Sequence, residues 1–167
     1  MDNEAILILD TQDIENRLVR LAFQIYEENF EETEINICGI QGRGFILAEK
    51  IAKQLEKISP LKVNLTAIEI DKLHPNSKSV TLNPPLMNLS NQVVVLCDDV
   101  LYTGKTMAHA TVPFLEAGVR KIQCLTLIDR NHLAFPVQPI FTGLSLSTTL
   151  QERVEVDFEL GKVWLKE

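Results

Sequence analysis

Cysteine is sparse in this chain: three residues in 167, at Cys38, Cys97 and Cys124, with no two close in sequence. A scattered, odd-numbered set excludes a disulfide framework, and the missing Cys-x-x-Cys or His pairs exclude a zinc site of the usual spacing. Each cysteine sits in an apolar, strand-like stretch, so buried free thiols in a reducing cytosol are expected. Long apolar runs are also missing. None approaches ~18 residues, which excludes a membrane-spanning helix. The start, Met1-Asp2-Asn3-Glu4, is acidic and leads only into the short apolar run Ala5 to Leu9. A secretory leader needs a basic start and a longer apolar stretch, so a cytoplasmic location is expected. Positive charge is scarce as well: 16 Lys and Arg stand against 23 Asp and Glu, giving a net charge of −7 and a pI near 5.0. An acidic chain repels nucleic acid on average, which makes RNA the less favoured partner unless a local basic patch forms. Repeats, low-complexity tracts and linkers are absent, so residues 1–167 read as a single domain.

Apolar residues nonetheless make up 46% of the chain, enough for one full core. Ile6 to Leu9 reads as a short opening strand. Asp10 or Thr11 can cap a helix in which Ile14, Leu18, Leu21 and Ile25 recur at helical spacing, leaving Arg17, Arg20, Glu27 and Glu28 on the wet side. Ile35 to Ile40 reads as a buried parallel strand, Gln41-Gly42-Arg43-Gly44 as the turn after it, and Leu47, Ile51 and Leu55 as the buried face of a second helix. Val63 to Ile70 alternates loosely, as a strand does. Asp71 to Leu89 holds three prolines, three asparagines and two serines and reads as a mobile loop. Val93 to Cys97 is the most strand-like run, and it ends abruptly in Asp98 and Asp99. A helix is expected from about Thr106 to Ala117, bent or shortened by Pro113 and stopped at Gly118. Ile122 to Ile128 and Ile140 to Leu144 follow as strands, then a hairpin-like pair, Arg153 to Phe158 and Lys162 to Leu165. Strands alternating with helices imply an α/β fold: a mainly parallel twisted sheet with helices on both faces.

The chemistry concentrates after the strand at Val93. In open α/β sheets ligands bind at the carboxyl ends of strands, and this run delivers Asp98 and Asp99 to that edge. Tyr102-Thr103-Gly104-Lys105-Thr106 then leads into a helix. Gly104 allows a tight bend in which successive N–H groups converge on an anion, and the hydroxyls of Thr103 and Thr106 add donors. A carboxylate pair beside a phosphate cradle suits a phosphorylated sugar, since carboxylates accept from a ribose diol while the bend holds the 5′-phosphate. The same carboxylates can hold Mg²⁺, directly, through water or through the diol. The bend is not a Walker loop, which needs a glycine where Asp99 stands.

An apolar strand, two acids and a small-residue phosphate bend resemble the hallmark of the type I phosphoribosyltransferases. Within that superfamily the chain looks closest to the bacterial pyrimidine-operon regulator and uracil phosphoribosyltransferase family. Ile8-Leu9-Asp10 is similar to that family's opening, Gly39-Ile40-Gln41-Gly42-Arg43-Gly44 to its pyrophosphate loop, and Asp98 to Thr106 to its ribose-phosphate loop, Tyr102 included. Leu127-Ile128-Asp129-Arg130-Asn131-His132 resembles its base-side segment, and Phe141-Thr142-Gly143 the strand that follows.

The resemblance implies a phosphoribosyltransferase fold with a small hood region. It also implies transfer of ribose 5-phosphate from the magnesium complex of phosphoribosyl pyrophosphate to a nucleobase, in a homodimer. Asp98, Asp99 and Arg43 would be the catalytic set, with Gln41, Gly42, Arg43 and Gly44 gripping pyrophosphate and Mg²⁺ as the cofactor. Tyr102 stands where purine-salvage relatives usually carry an aspartate, which favours a pyrimidine, with uracil first. Asp129 and Arg130 would line the base side, or else form a surface ion pair. The hood loop is expected at about residues 71–89, with Lys72, His74 and Lys78 as its cations. His132 reads as a loop residue. An RNA-binding regulator is the alternative, which would need Arg17, Arg20, Lys50, Lys53 and Lys57 to form one basic patch. A transferase for a purine or another base is a further alternative.

Overall fold

The computed structural model describes residues 5–167. In chain order the elements are β1 (Ile6–Leu9), α1 (Thr11–Glu28), β2 (Glu34–Ile40), α2 (Arg43–Ile58), β3 (Lys62–Glu69), β4 (Thr81–Asn83), β5 (Val93–Leu101), α3 (Lys105–Ala110), α4 (Val112–Glu116), β6 (Lys121–Asp129), β7 (Pro139–Ser145), β8 (Arg153–Asp157) and β9 (Lys162–Lys166). Six strands form the main sheet in the order β4-β3-β2-β5-β6-β7, and β1-β9-β8 form a separate small sheet. Within the main sheet β3, β2, β5, β6 and β7 are mutually parallel, and β4 is an antiparallel edge. This is the α/β architecture expected from the alternating pattern.

Period-two alternation along the strands divides the core. Ile35, Ile37, Val93, Val95, Leu125 and Leu127 belong to one buried cluster, with Ile14, Leu18, Leu21 and Ile25 of α1 and Leu47, Ile51 and Leu55 of α2. Cys38, Ile40, Val94, Leu96 and Cys124 belong to the other, with Met107, Ala110 and Phe114 of the α3–α4 segment. The α1 helix starts where the sequence says it should. Asp10 accepts from the Asp13 N–H at 2.8 Å and Asp13 accepts from the Asp10 N–H at 3.1 Å, a reciprocal capping box. At its other end the Asn29 side-chain amide donates to Ile25 O at 2.8 Å and to Gln123 Oε1 at 2.9 Å, fastening the helix to β6 in the interior.

Several expectations are corrected. The helix expected from Thr106 to Ala117 is two short helices that break at Thr111, because Pro113 has no N–H to continue the first and sits instead in the first turn of the second. Residues 71–89 are not structureless throughout. Thr81–Asn83 pairs with Ala67–Glu69, Glu69 accepts from Thr81 Oγ1 and Asn83 Nδ2 at 3.0 Å each, and Leu89 is buried in the second cluster. A short strand followed by Pro84 suits a sheet edge, where one side of the ladder is unpaired. The expected opening strand and closing hairpin are both present and together form the accessory sheet, with Ile6 opposite Leu165 and Val154 opposite Leu165 on the other side. Arg17 is not simply wet: its Nη1 donates to Asp13 O at 3.2 Å and its Nε is buried.

Asn29→Ala removes both bonds to α1 and β6 and leaves Gln123 Oε1 buried without its partner. The expected cost is about 1–3 kcal/mol, read as a fall in melting temperature of roughly 3–10 °C in a domain of this size.

Candidate active site

Strand β5 runs on through the aspartate pair to Leu101, with Asp98 opposite Thr126 and Leu101 opposite Asp129. The two carboxylates are therefore held in the sheet and not on a loose turn, and Asp98 and Asp99 are only 7% and 6% exposed. Each meets a cation from a different segment. Arg43, the first residue of α2, brings Nε to 3.1 Å from Asp99 Oδ2. Lys72, just beyond β3, brings Nζ to 3.7 Å from Asp98 Oδ1. That oxygen also accepts the Asp99 N–H at 3.0 Å. Gly44 has to lack a side chain, since a Cβ there would stand 2.9 Å from both Asp98 Oδ1 and Cys97 O. The turn Gln41–Gly44 is anchored behind by the Gln41 N–H on Ile68 O at 2.9 Å. The two segments singled out in the sequence, around Arg43 and around Asp98, thus converge on one carboxylate pair.

The bend after β5 is open. Asp98, Tyr102, Thr103, Gly104, Lys105, Thr106 and Met107 line a cavity of ≈ 180 Å³. Gly104 adopts φ +80°, the left-handed region in which a side chain is strained. The bend is braced by the loop between β6 and β7: Ala134 and Phe135 donate their N–H groups to Thr103 O at 2.9 and 3.2 Å. A small anion entering here meets hydroxyls, the Lys105 ammonium and backbone donors.

On the base side the structure separates two neighbours. Asp129 lies at the end of β6, 8% exposed, accepts from the Asn131 N–H at 2.9 Å and lines a cavity of ≈ 500 Å³ with Asn131, Leu133, Phe135 and Thr142. Arg130 does not pair with it at the surface. It is buried, stacked on the Tyr102 ring at 4.1 Å, and bonded to Thr148, Thr149 and Glu152. His132 stands edge-on to the same ring, with 5.6 Å between centroids. The Thr148–Glu152 segment and the stacking role of His132 were not foreseen, and no sequence signal marks them. In the supposed basic patch Arg20 stays exposed, as expected, while its Nη2 donates to Thr142 O and Gly143 O at 3.2 and 2.7 Å.

Burial pushes the Asp98 carboxyl up to about 7; Lys72 opposes the rise and Asp99 adds to it. The three cysteines are free and buried. Burial raises all of their thiols, that of Cys124 to about 11, so they carry no nucleophile at neutral pH. No group of three or more His, Cys, Asp or Glu among the described residues could cage a metal. Asp98 and Asp99, adjacent though largely buried, are the carboxylates that could contribute to a Mg²⁺ site, an ion commonly held by one or two carboxylates plus substrate oxygens. No helix among the described residues is long and apolar enough to cross a membrane.

Folding raises the Asp98 carboxyl, so the folded state keeps a proton that the unfolded state has released between pH 3.8 and about 7. Across that window the empty protein loses stability as pH rises. Asp98→Asn removes the penalty. Thermal melts should show the variant gaining on the parent between pH ~5 and pH ~8, and a constant difference would contradict the burial argument.

Comparison with known proteins agrees with this geometry. Residues 7–160 match the phosphoribosyl transferase domain family. A protein of Synechocystis sp. named bifunctional protein PyrR is 35% identical over 162 residues, 93% of this chain and 91% of that protein. A namesake from Thermoanaerobacter sp. is 34% identical over 160 residues, 91% of this chain and 89% of its own. Among solved structures, the hypoxanthine phosphoribosyltransferase of Trypanosoma cruzi superposes with a TM-score of 0.79 at 11% identity, covering 95% of this chain and 94% of that one. That of Staphylococcus aureus gives 0.78 at 17%, covering 99% and 92%. At such identities the structural likeness speaks for the fold. The sequence matches, spanning both loops and nearly the whole chain, show that the protein belongs to the phosphoribosyl transferase domain family and is a phosphoribosyltransferase.

Proposed function

We propose that the protein transfers ribose 5-phosphate from phosphoribosyl pyrophosphate to uracil, releasing pyrophosphate, as a salvage step in pyrimidine metabolism. The observation that carries this reading is the meeting of Arg43 with Asp99, 3.1 Å apart, next to Asp98, which lines the cavity of the Tyr102–Thr106 bend. A ligand with a phosphate at one end, a diol in the middle and a pyrophosphate at the other fits that order of groups.

In this reading Thr103, Gly104, Lys105 and Thr106 hold the 5′-phosphate, with Tyr102 beside them. Asp98 and Asp99 accept from the ribose hydroxyls, and Gln41, Gly42, Arg43 and Gly44 receive pyrophosphate. Asp98 and Asp99, or the diol they accept from, would hold Mg²⁺, which when bound would supply positive charge beside pyrophosphate. The base nitrogen forms a bond to the anomeric carbon as the carbon–oxygen bond breaks. The bond's electron pair goes to pyrophosphate, and the base gives up its N–H proton to solvent or to the departing pyrophosphate. The sugar gains cationic character on the way, so flanking carboxylates and an arginine on the departing group stabilise the separated charges. Arg43 must let go of Asp99 to reach pyrophosphate, which frees that carboxylate as substrate enters.

The preference for uracil rests on Tyr102, which puts a phenol where a purine-type site would present a carboxylate. Asp129 lines the base side, with Arg130 behind it. A second reading, a nucleotide-sensing RNA-binding regulator, is favoured by the word bifunctional in the relatives' name. Against it stand the net charge of −7 and the engagement of Arg17 and Arg20 with backbone carbonyls of this chain. A homodimer follows from the family resemblance.

Incubation with phosphoribosyl pyrophosphate, Mg²⁺ and each common base in turn should release pyrophosphate with uracil. Release with a purine alone would overturn the base assignment, and none with any base would remove turnover from the reading. A mobility shift on pyrimidine leader RNA that responds to UMP would establish the regulatory reading instead. Asp99→Asn and Arg43→Ala should each weaken phosphoribosyl pyrophosphate binding by about 1.5–3 kcal/mol, the loss of one charge-assisted bond, and calorimetry showing unchanged affinity in both would sink the site.

A further inference from the structure

Between β7 and β8 the chain crosses from the main sheet to the accessory sheet, and Thr148–Glu152 form a strap on that path. Arg130, 7% exposed, directs three hydrogen bonds into it: Nε to Thr148 Oγ1 at 2.9 Å, and Nη2 to Thr149 O at 3.1 Å and to Glu152 O at 2.6 Å. A guanidinium is costly to bury unless its donors are met, and here the Nε and Nη2 donors are met by one short stretch of chain. The opposite side of the same group is stacked on the Tyr102 ring, a contact that a planar guanidinium makes better than an ammonium. His132 repeats the pattern on a smaller scale, with its edge-on contact to Tyr102 and its Nε2 2.6 Å from Thr148 O. The strap also braces itself, since the Thr149 N–H donates to the Glu152 carboxylate and the Glu152 N–H donates to Thr149 Oγ1.

The strap feeds β8, and the Val156 carbonyl of β8 accepts from Arg43 Nη1 at 3.2 Å. A continuous set of contacts therefore runs from Tyr102 through Arg130, the strap and β8 to Arg43, and from Arg43 to Asp99. The ribose-phosphate bend and the Arg43 turn follow different strands of the main sheet; the accessory sheet touches Arg43 directly through Val156 and reaches the bend through the strap and Arg130.

We propose that Arg130 is a positioning residue: it makes Tyr102 and the Thr148–Glu152 strap one unit, through which the accessory sheet keeps the ribose-phosphate bend in register with Arg43. The consequence for substrate rests on the function proposed above, whereas the coupling itself is a property of the empty protein and can be tested there.

Hydrogen exchange followed by mass spectrometry on ligand-free Arg130→Met should show residues 102–106 and 148–152 exchanging faster together, by roughly tenfold, with α1 and β2 unchanged. Acceleration confined to one of the two segments, or spread evenly over the chain, overturns the coupling. If Arg130→Met does not fold, Arg130→Lys keeps the charge but cannot reach all three acceptors, so unchanged exchange in that variant is equally fatal. With phosphoribosyl pyrophosphate, KM should rise roughly tenfold while kcat per folded molecule falls less, because a merely unfolded fraction lowers apparent kcat and leaves KM alone. Trp164, the single tryptophan, lies in β9 of the accessory sheet. Its emission should shift when phosphoribosyl pyrophosphate binds the parent and stay flat in the variant, and the same shift in both overturns the link to the accessory sheet. A parent protein that binds no phosphoribosyl pyrophosphate would refute the proposed function, while the ligand-free exchange would still decide the coupling.

Discussion

Two neighbouring carboxylates buried at one end of a parallel strand are an electrostatic problem that the rest of the molecule answers. Asp98 and Asp99 are almost out of reach of water, and adjacent anions in that setting resist ionising together. Arg43 comes from the start of α2 to one of them, and Lys72 comes from beyond β3 to the other. Gly44 keeps the approach clear by having no side chain to strike Asp98. The strand order β3-β2-β5 explains why this is possible. The turns after β2 and β3 open at the same edge of the sheet as the end of β5, so each can deliver one cation there.

The same arrangement explains how an acidic protein can receive an anionic substrate. The net charge of −7 opposes approach at long range, but screening in physiological salt limits that field to about 8 Å. Close to the site the balance is local. Arg43, Lys72 and Lys105 surround the two carboxylates and the open bend. The empty site pairs its charges internally, and a phosphorylated sugar can exchange those pairs for its own. An exchange of partners demands less of the protein than the exposure of unpaired buried charge.

Base choice is a separate matter from the fold. The hypoxanthine phosphoribosyltransferases that superpose on this chain share its architecture at low sequence identity, so that likeness speaks for the fold and not for the base. In the proposed function, base selection falls to side chains around Tyr102 and Asp129. Burial of Arg130 beneath Tyr102 gives that neighbourhood a fixed rear wall. On the coupling proposed for Arg130, the accessory sheet, made from the two ends of the chain, would brace the two loops.

The sequence by itself determined the elements with strong local signals. The apolar periodicity of α1 and α2, the runs at Ile35 and Val93, the capping aspartate and the bend at Gly104 each follow from neighbours a few residues apart. The candidate loops at Gln41–Gly44 and Asp98–Thr106 were legible for the same reason, since their chemistry is written in consecutive residues. Only the tertiary structure decided which distant groups meet. Val154 and Ile6 share the partner Leu165, Lys72 reaches Asp98 across an intervening strand, and Arg130 turns from the base side to the strap at Thr148–Glu152. Local patterns cannot encode these contacts. They arise where separate elements, each stable only against its neighbours, are packed into one core, and long polar side chains then take whichever buried acceptors that packing brings within reach.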